Sequence, residues 1–108
     1  LGLGADIFSF EDRHTALTGA SLLINATSLG MAGQPSLELR LDELPQDTVV
    51  CDVVYRPLET PLLAVARKKG HPSVEGLSML LHQGRLGFSR WFGQDPSVTR
   101  DLWEMMAR

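Results

Sequence analysis

The run Thr48-Val49-Val50-Cys51-Asp52-Val53-Val54 constrains this chain most. Five of its seven residues are β-branched, so it predicts a strand. Tyr55-Arg56-Pro57 breaks the pattern. Thr60 can then cap a helix with Pro61 in its first position and Gly70 at its end. A short strand follows over Pro72–Glu75. A long helix follows from Gly76 to Phe92, with Leu77, Leu80, Leu81, Gly84, Phe88, Trp91 and Phe92 at i, i+3, i+4 spacing. Upstream, Ser21-Leu22-Leu23-Ile24-Asn25 reads as a strand buried on both faces, and Ala5–Phe10 as an alternating strand. Strands that alternate with helices predict a parallel α/β sheet.

Smaller elements fill the gaps. Glu11–Leu17 is a short helix candidate, Leu41–Leu44 a single helical turn, and 26–36 a loop carrying Gly30, Gly33 and Pro35. Asp95 is expected to cap a last helix with Pro96 in its first turn, burying Val98, Leu102, Met105 and Met106. The last two helices follow one another with no strand between, so they can leave the sheet. Leu1-Gly2-Leu3-Gly4 reads as a helix end with its glycine cap, which points to a piece of a longer protein.

Composition excludes several function classes. At 108 residues the chain is one domain or part of one, with a formal net charge of -3 and scattered basic residues. Neither suits nucleic acid. The run Arg67-Lys68-Lys69 sits where cations complement a helix dipole. Cys51, the only cysteine, excludes an intrachain disulfide and a cysteine-based zinc site. It reads as a small buried hydrophobe. No apolar run approaches the roughly 18 residues of a membrane span, and a reducing cytoplasmic setting fits. His14 and His71 are expected at the surface. His82 points about 100° away from its neighbour Gln83 on the helix and is given no catalytic part.

In open parallel sheets, ligands sit beyond the carboxyl ends of the strands. Three segments leave such ends: Asn25-Ala26-Thr27-Ser28, the segment reaching Tyr55, and Gly76. Gly76 and Gln83 lie nearly two turns apart on one helix face, about 10 Å along the axis. A bare backbone at one end admits a flat ligand, and an amide at the other can bind a hydroxyl. Each residue also has a plain alternative. Asn25 and Thr27 can satisfy turn backbone, Tyr55 can be a packing aromatic, Gly76 an ordinary turn, Met79 core, and Gln83 a solvent-facing side chain.

The blocks Asn-Ala-Thr-Ser-Leu-Gly-Met from Asn25, Asp-Val-Val-Tyr-Arg-Pro-Leu-Glu-Thr-Pro-Leu-Leu from Asp52, and Glu-Gly-Leu-Ser-Met-Leu-Leu-His-Gln-Gly from Glu75 closely resemble the carboxyl-terminal half of the shikimate dehydrogenases. The similarity runs from about Leu22 to about Gly93. It implies a Rossmann-like, mostly parallel sheet represented by its strands 3 to 6, with Ala5–Phe10 as strand 3 and Leu22–Asn25 as strand 4. Residues 1–75 would be part of an NADP-binding domain, and 76–108 helices that line a cleft and pack back toward a substrate domain. The implied activity is the NADPH-dependent reversible reduction of 3-dehydroshikimate to shikimate, in chorismate and aromatic amino acid biosynthesis.

The same resemblance implies residue roles. Ala26, Thr27 and Ser28 would lie beside the nicotinamide and Val53 would touch its end of the cofactor, where relatives often carry a longer Met. Gly76 would let the ring approach the backbone, and Met79 would pack near it. Tyr55 and Gln83 would bind the substrate. The family's Gly-Ala-Gly-Gly-Ala turn, its adenosine-phosphate segment and its proton-transferring Lys and Asp have no counterpart in this chain. No catalytic residue or metal ligand is therefore expected here, and the chain by itself is expected to be inactive. Rossmann strands 1 and 2, which lie between strands 3 and 4, would come from the rest of the protein. The other readings are a quinate/shikimate dehydrogenase using NAD, a truncated nucleotide-binding or interaction domain, and one link of a multifunctional protein.

Overall fold

The computed structural model describes residue 2 and residues 4–108. Leu1 and Leu3, half of the expected helix end, lie outside the described residues. Among the described residues a three-stranded parallel sheet runs in the order β1 (Leu22–Asn25), β2 (Val49–Asp52), β3 (Ser73–Val74). The register sets Asn25 opposite Asp52, so both side chains stand at the carboxyl edge.

Helix α1 (Pro61–Lys68) returns the chain from β2 to β3. Its start follows the sequence: the Thr60 hydroxyl accepts from Leu63 N, and Pro61 needs no donor in the first turn. Leu62, Leu63 and Ala66 share one face and are buried. They pack with Leu17, Leu41, Leu44 and Val50 into one cluster, joined by Ala20, Leu23, Leu37 and Leu39. The turn at Leu41–Leu44 forms, with Leu44 N donating to Leu41 O.

Helix α2 (Gly76–Phe92) has the expected bounds. Only Gly76 and Leu77 of it are buried, because it leaves the sheet after its first turn and packs against α3 (Arg100–Ala107). No helix among the described residues is long and apolar enough to cross a membrane.

Five expectations are corrected. Ala5–Phe10 forms no strand, because among the described residues no neighbouring strand takes its backbone bonds, and Ile7 is 84% exposed. Glu11–Leu17 gives turns and one 3-10 turn (Thr15–Leu17), too short a stretch to sustain an α-helix. Leu22 and Ile24 of β1 are half exposed, since only the other face of that strand carries a packed layer. α3 starts at Arg100 under a Thr99 cap, because the Asp95 carboxylate is taken by Arg85 and Ser89. Its apolar stripe stays open, with Met105 at 62% exposure. His71 is buried at the turn from α1 into β3, where its N–H donates to Ala66 O; His14 is half-buried and accepts from Arg40 N.

Candidate functional site

The carboxyl edge of the sheet is built around two buried side chains, Asn25 and Asp52. Asn25 Nδ2 donates to Asp52 Oδ1 at 3.1 Å and to Leu29 O at 3.1 Å. Its Oδ1 accepts from Thr27 N at 3.1 Å and from Thr27 Oγ1 at 2.7 Å. Thr27 Oγ1 in turn accepts from Leu29 N. The loop after β1 is thus wound around one amide, as an Asx turn with a second bond back to the sheet. Gly30, buried at φ 91°, lets this loop lie against Thr60 and Pro61 at the start of α1. Ala32 N also donates to Arg56 O, joining the loop to the segment beyond β2.

Asp52 closes the arrangement. Its Oδ1 also accepts from Val54 N at 3.0 Å, and its Oδ2 accepts from Thr60 Oγ1 at 2.6 Å. A carboxylate buried to 2% exposure is tolerated because three donors converge on it. From sequence Asp52 has no role of its own, only a place in the strand and in the block that runs on to Tyr55. The usable signal was an acidic residue inside a valine-rich run, ahead of a Thr-Pro helix start.

The backbone at Val53 and Val54 meets α2. A Cβ on Gly76 would stand 2.4 Å from Val53 O and 2.6 Å from Val54 O, so only glycine fits there. Val53 N donates to Asn25 O, so Asn25, Val53 and Gly76 are contiguous. Two strand ends and the start of α2 therefore meet on one rim.

The residues singled out from sequence divide by exposure. Ala26, Thr27, Ser28, Tyr55, Met79 and Gln83 all face solvent, and Val53 is half-buried. Gly76 is buried against protein backbone. Met79 and Gln83 stand three and seven positions along α2 from Gly76, on one helix face. Tyr55 lines a cavity of about 310 Å³ with Ala32, Arg56, Met106 and Arg108, a cavity that none of the other singled-out residues lines.

Glu75, the residue before Gly76, is already engaged. Burial pushes the Glu75 carboxyl up, but the Ser78 hydroxyl, a backbone amide and the Trp103 indole N–H outweigh it and hold it below the usual carboxylate range. Burial pushes the Cys51 thiol up, which suits an inert packing role. Among the described residues no group of three His, Cys, Asp or Glu could hold a metal ion. The exposed set offers hydroxyls, an amide, a phenol and apolar surface. Such groups bind and orient a ligand through hydrogen bonds and apolar contact.

Comparisons with known proteins find mainly shikimate dehydrogenases. A family profile described as "Shikimate 5'-dehydrogenase C-terminal domain" matches residues 76–100. A shikimate dehydrogenase (NADP(+)) from Methylobacterium radiotolerans is 54% identical over 101 residues, covering 94% of this chain and 36% of that protein. Shikimate 5-dehydrogenase from Listeria monocytogenes, solved with shikimate and NAD, superposes with a TM-score of 0.81 at 32% identity, over 96% of this chain and 37% of that one. Quinate dehydrogenase from Corynebacterium glutamicum, solved with NAD, gives a TM-score of 0.79 at 33% identity, over 90% and 34%. The chain spans about a third of the length of the curated relatives it matches.

Proposed function

We propose that this chain, which belongs to the shikimate dehydrogenase family, supplies the cofactor-side wall of an enzyme that reversibly reduces 3-dehydroshikimate to shikimate with NADPH. The observation that carries this reading is the rim where the β1 loop, the end of β2 and the start of α2 meet. It lies at the edge of a parallel sheet where such folds take ligands.

The residues present fit the nicotinamide end of the cofactor. Ala26, Val53 and Met79 offer apolar surface for a flat ring, and Thr27 and Ser28 lie on the same loop. The start of α2 stands close against the end of β2 because Gly76 lacks a side chain. NADPH supplies the hydride when bound. Tyr55 and Gln83 hold hydroxyls of the substrate ring, and the wall keeps water from the reacting face. Residues 1–75 belong to the cofactor domain, and 76–108 line the cleft and turn their open apolar side toward the substrate domain. The proton-transferring groups come from outside this chain. A cytoplasmic location suits a single, shielded thiol.

Steady-state kinetics of the complete polypeptide test the reading. Tyr55→Phe and Gln83→Ala are each expected to raise the substrate KM by about tenfold and leave the NADPH KM in place. Unchanged kinetics in both variants would remove these residues from the site. The 108-residue chain alone is expected to give no turnover. The likeness to quinate dehydrogenase favours a second reading, a quinate/shikimate enzyme using NAD. A higher kcat/KM with quinate and NAD than with shikimate and NADP would establish it.

A further inference from the structure

We propose that Asp52 is the positioning residue that holds the cofactor loop and the substrate-binding segment in register, through Asn25 on one side and Val54 on the other; this rests on the function proposed above. Asp52 touches neither ligand in that reading. It sits one layer beneath, where its two oxygens receive donors from three separate pieces of chain. Asn25 leads directly to Thr27 and Leu29, whose N–H groups end on the Asn25 amide and on the Thr27 hydroxyl it holds. Val54 precedes Tyr55. Thr60 transmits the same anchor to the first turn of α1 through Leu63 N.

The arrangement resists slippage because every donor in it is already engaged. The carboxylate cannot turn toward a new donor without abandoning an old one in a buried place. A displacement of the β1 loop therefore breaks the Thr27 and Leu29 bonds to the Asn25 amide that Asp52 holds, and a displacement before Tyr55 requires Val54 to leave Asp52. Positioning at this accuracy matters to hydride transfer, where misplacement by about 1 Å can cost on the order of a hundredfold in rate.

Amide hydrogen exchange on the complete polypeptide, run beside kinetics, tests the assignment. Asp52→Ala should speed exchange at Thr27, Leu29 and Val54 by about tenfold or more, while the core amide of Val50 stays protected. Both KM values should rise by a similar factor. Asn25→Ala should release Thr27 and Leu29 and raise the NADPH KM without freeing Leu63. Thr60→Val should free Leu63 and leave Thr27 protected. Uniform loss of protection across the sheet in Asp52→Ala would reduce Asp52 to a stability role and overturn the proposal. If Asp52→Ala does not fold, Asn25→Ala decides: unchanged exchange at Thr27 and Leu29 overturns it. Absence of dehydrogenase activity in the unaltered polypeptide would sink the proposed function instead, and the exchange pattern would still decide the part played by Asp52.

Discussion

The carboxyl edge of the sheet and the α2–α3 pair are fastened in opposite ways. At the edge, buried Asn25, Asp52 and Thr60 bind one another, and Gly76 brings α2 into backbone contact with β2. Around the pair, the polar ties include the exposed Arg85–Asp95 bridge at 2.6 Å, from α2 to the segment before α3, and the Trp103–Glu75 hydrogen bond at 3.1 Å, from α3 to the residue before α2, with much apolar surface open. Trp91 is 80% exposed, and Phe92 and Met105 are more than half exposed. The edge is satisfied within the chain. The pair carries more apolar surface than its own packing uses, which marks it as a surface for contact.

Substitutions that sharpen this contrast should span a wide range of effect. Gly76→Ala should be the most damaging, costing about 3 kcal/mol, because the new methyl meets backbone that cannot move aside. Urea denaturation measures it; a cost near zero would mean α2 is as loosely held at its start as at its end. Trp103→Phe should cost about 0.5–1 kcal/mol, for a partly solvated hydrogen bond. It should also change the pH dependence. Glu75, held below the usual 4.5, contributes stability that is present above that value and lost as pH falls through the lowered one. Thermal melts between pH 3 and pH 6 should show a shallower acid slope in the variant.

Asp95→Asn should matter least. The Arg85 guanidinium holds the Asp95 carboxyl below the usual 3.8, so the bridge contributes above that value and is lost as pH falls below it. Both partners are exposed, so the difference in melting temperature from the unaltered protein should be small at pH 7 and vanish in high salt. A difference that persists at 1 M salt would show that the helix pair is more tightly built than its exposure indicates.

What the sequence made legible follows the same division. The parallel order, both bounds of α2 and the Thr60–Pro61 helix start were readable, because caps, glycines and apolar spacing are local signals. Ala5–Phe10 has the alternation of a strand, but alternation supplies no neighbour to bond with. The Asp95 cap failed for a related reason: its competitor, Arg85, lies ten residues upstream on another helix. The role of Asp52 was hidden because its partners arrive from residues 25, 54 and 60, and only folding brings them together.

The orientation of the Asn25 amide has a chemical corollary. Its nitrogen points at Asp52 and its oxygen at Thr27, so neither end can be exchanged for the other. Hydrolysis of that one amide to an acid would set two carboxylates face to face in a dry pocket, where they repel unless one takes up a proton. Ageing of the protein at this position would therefore be a lesion rather than a silent change, felt first in the loop that Thr27 anchors.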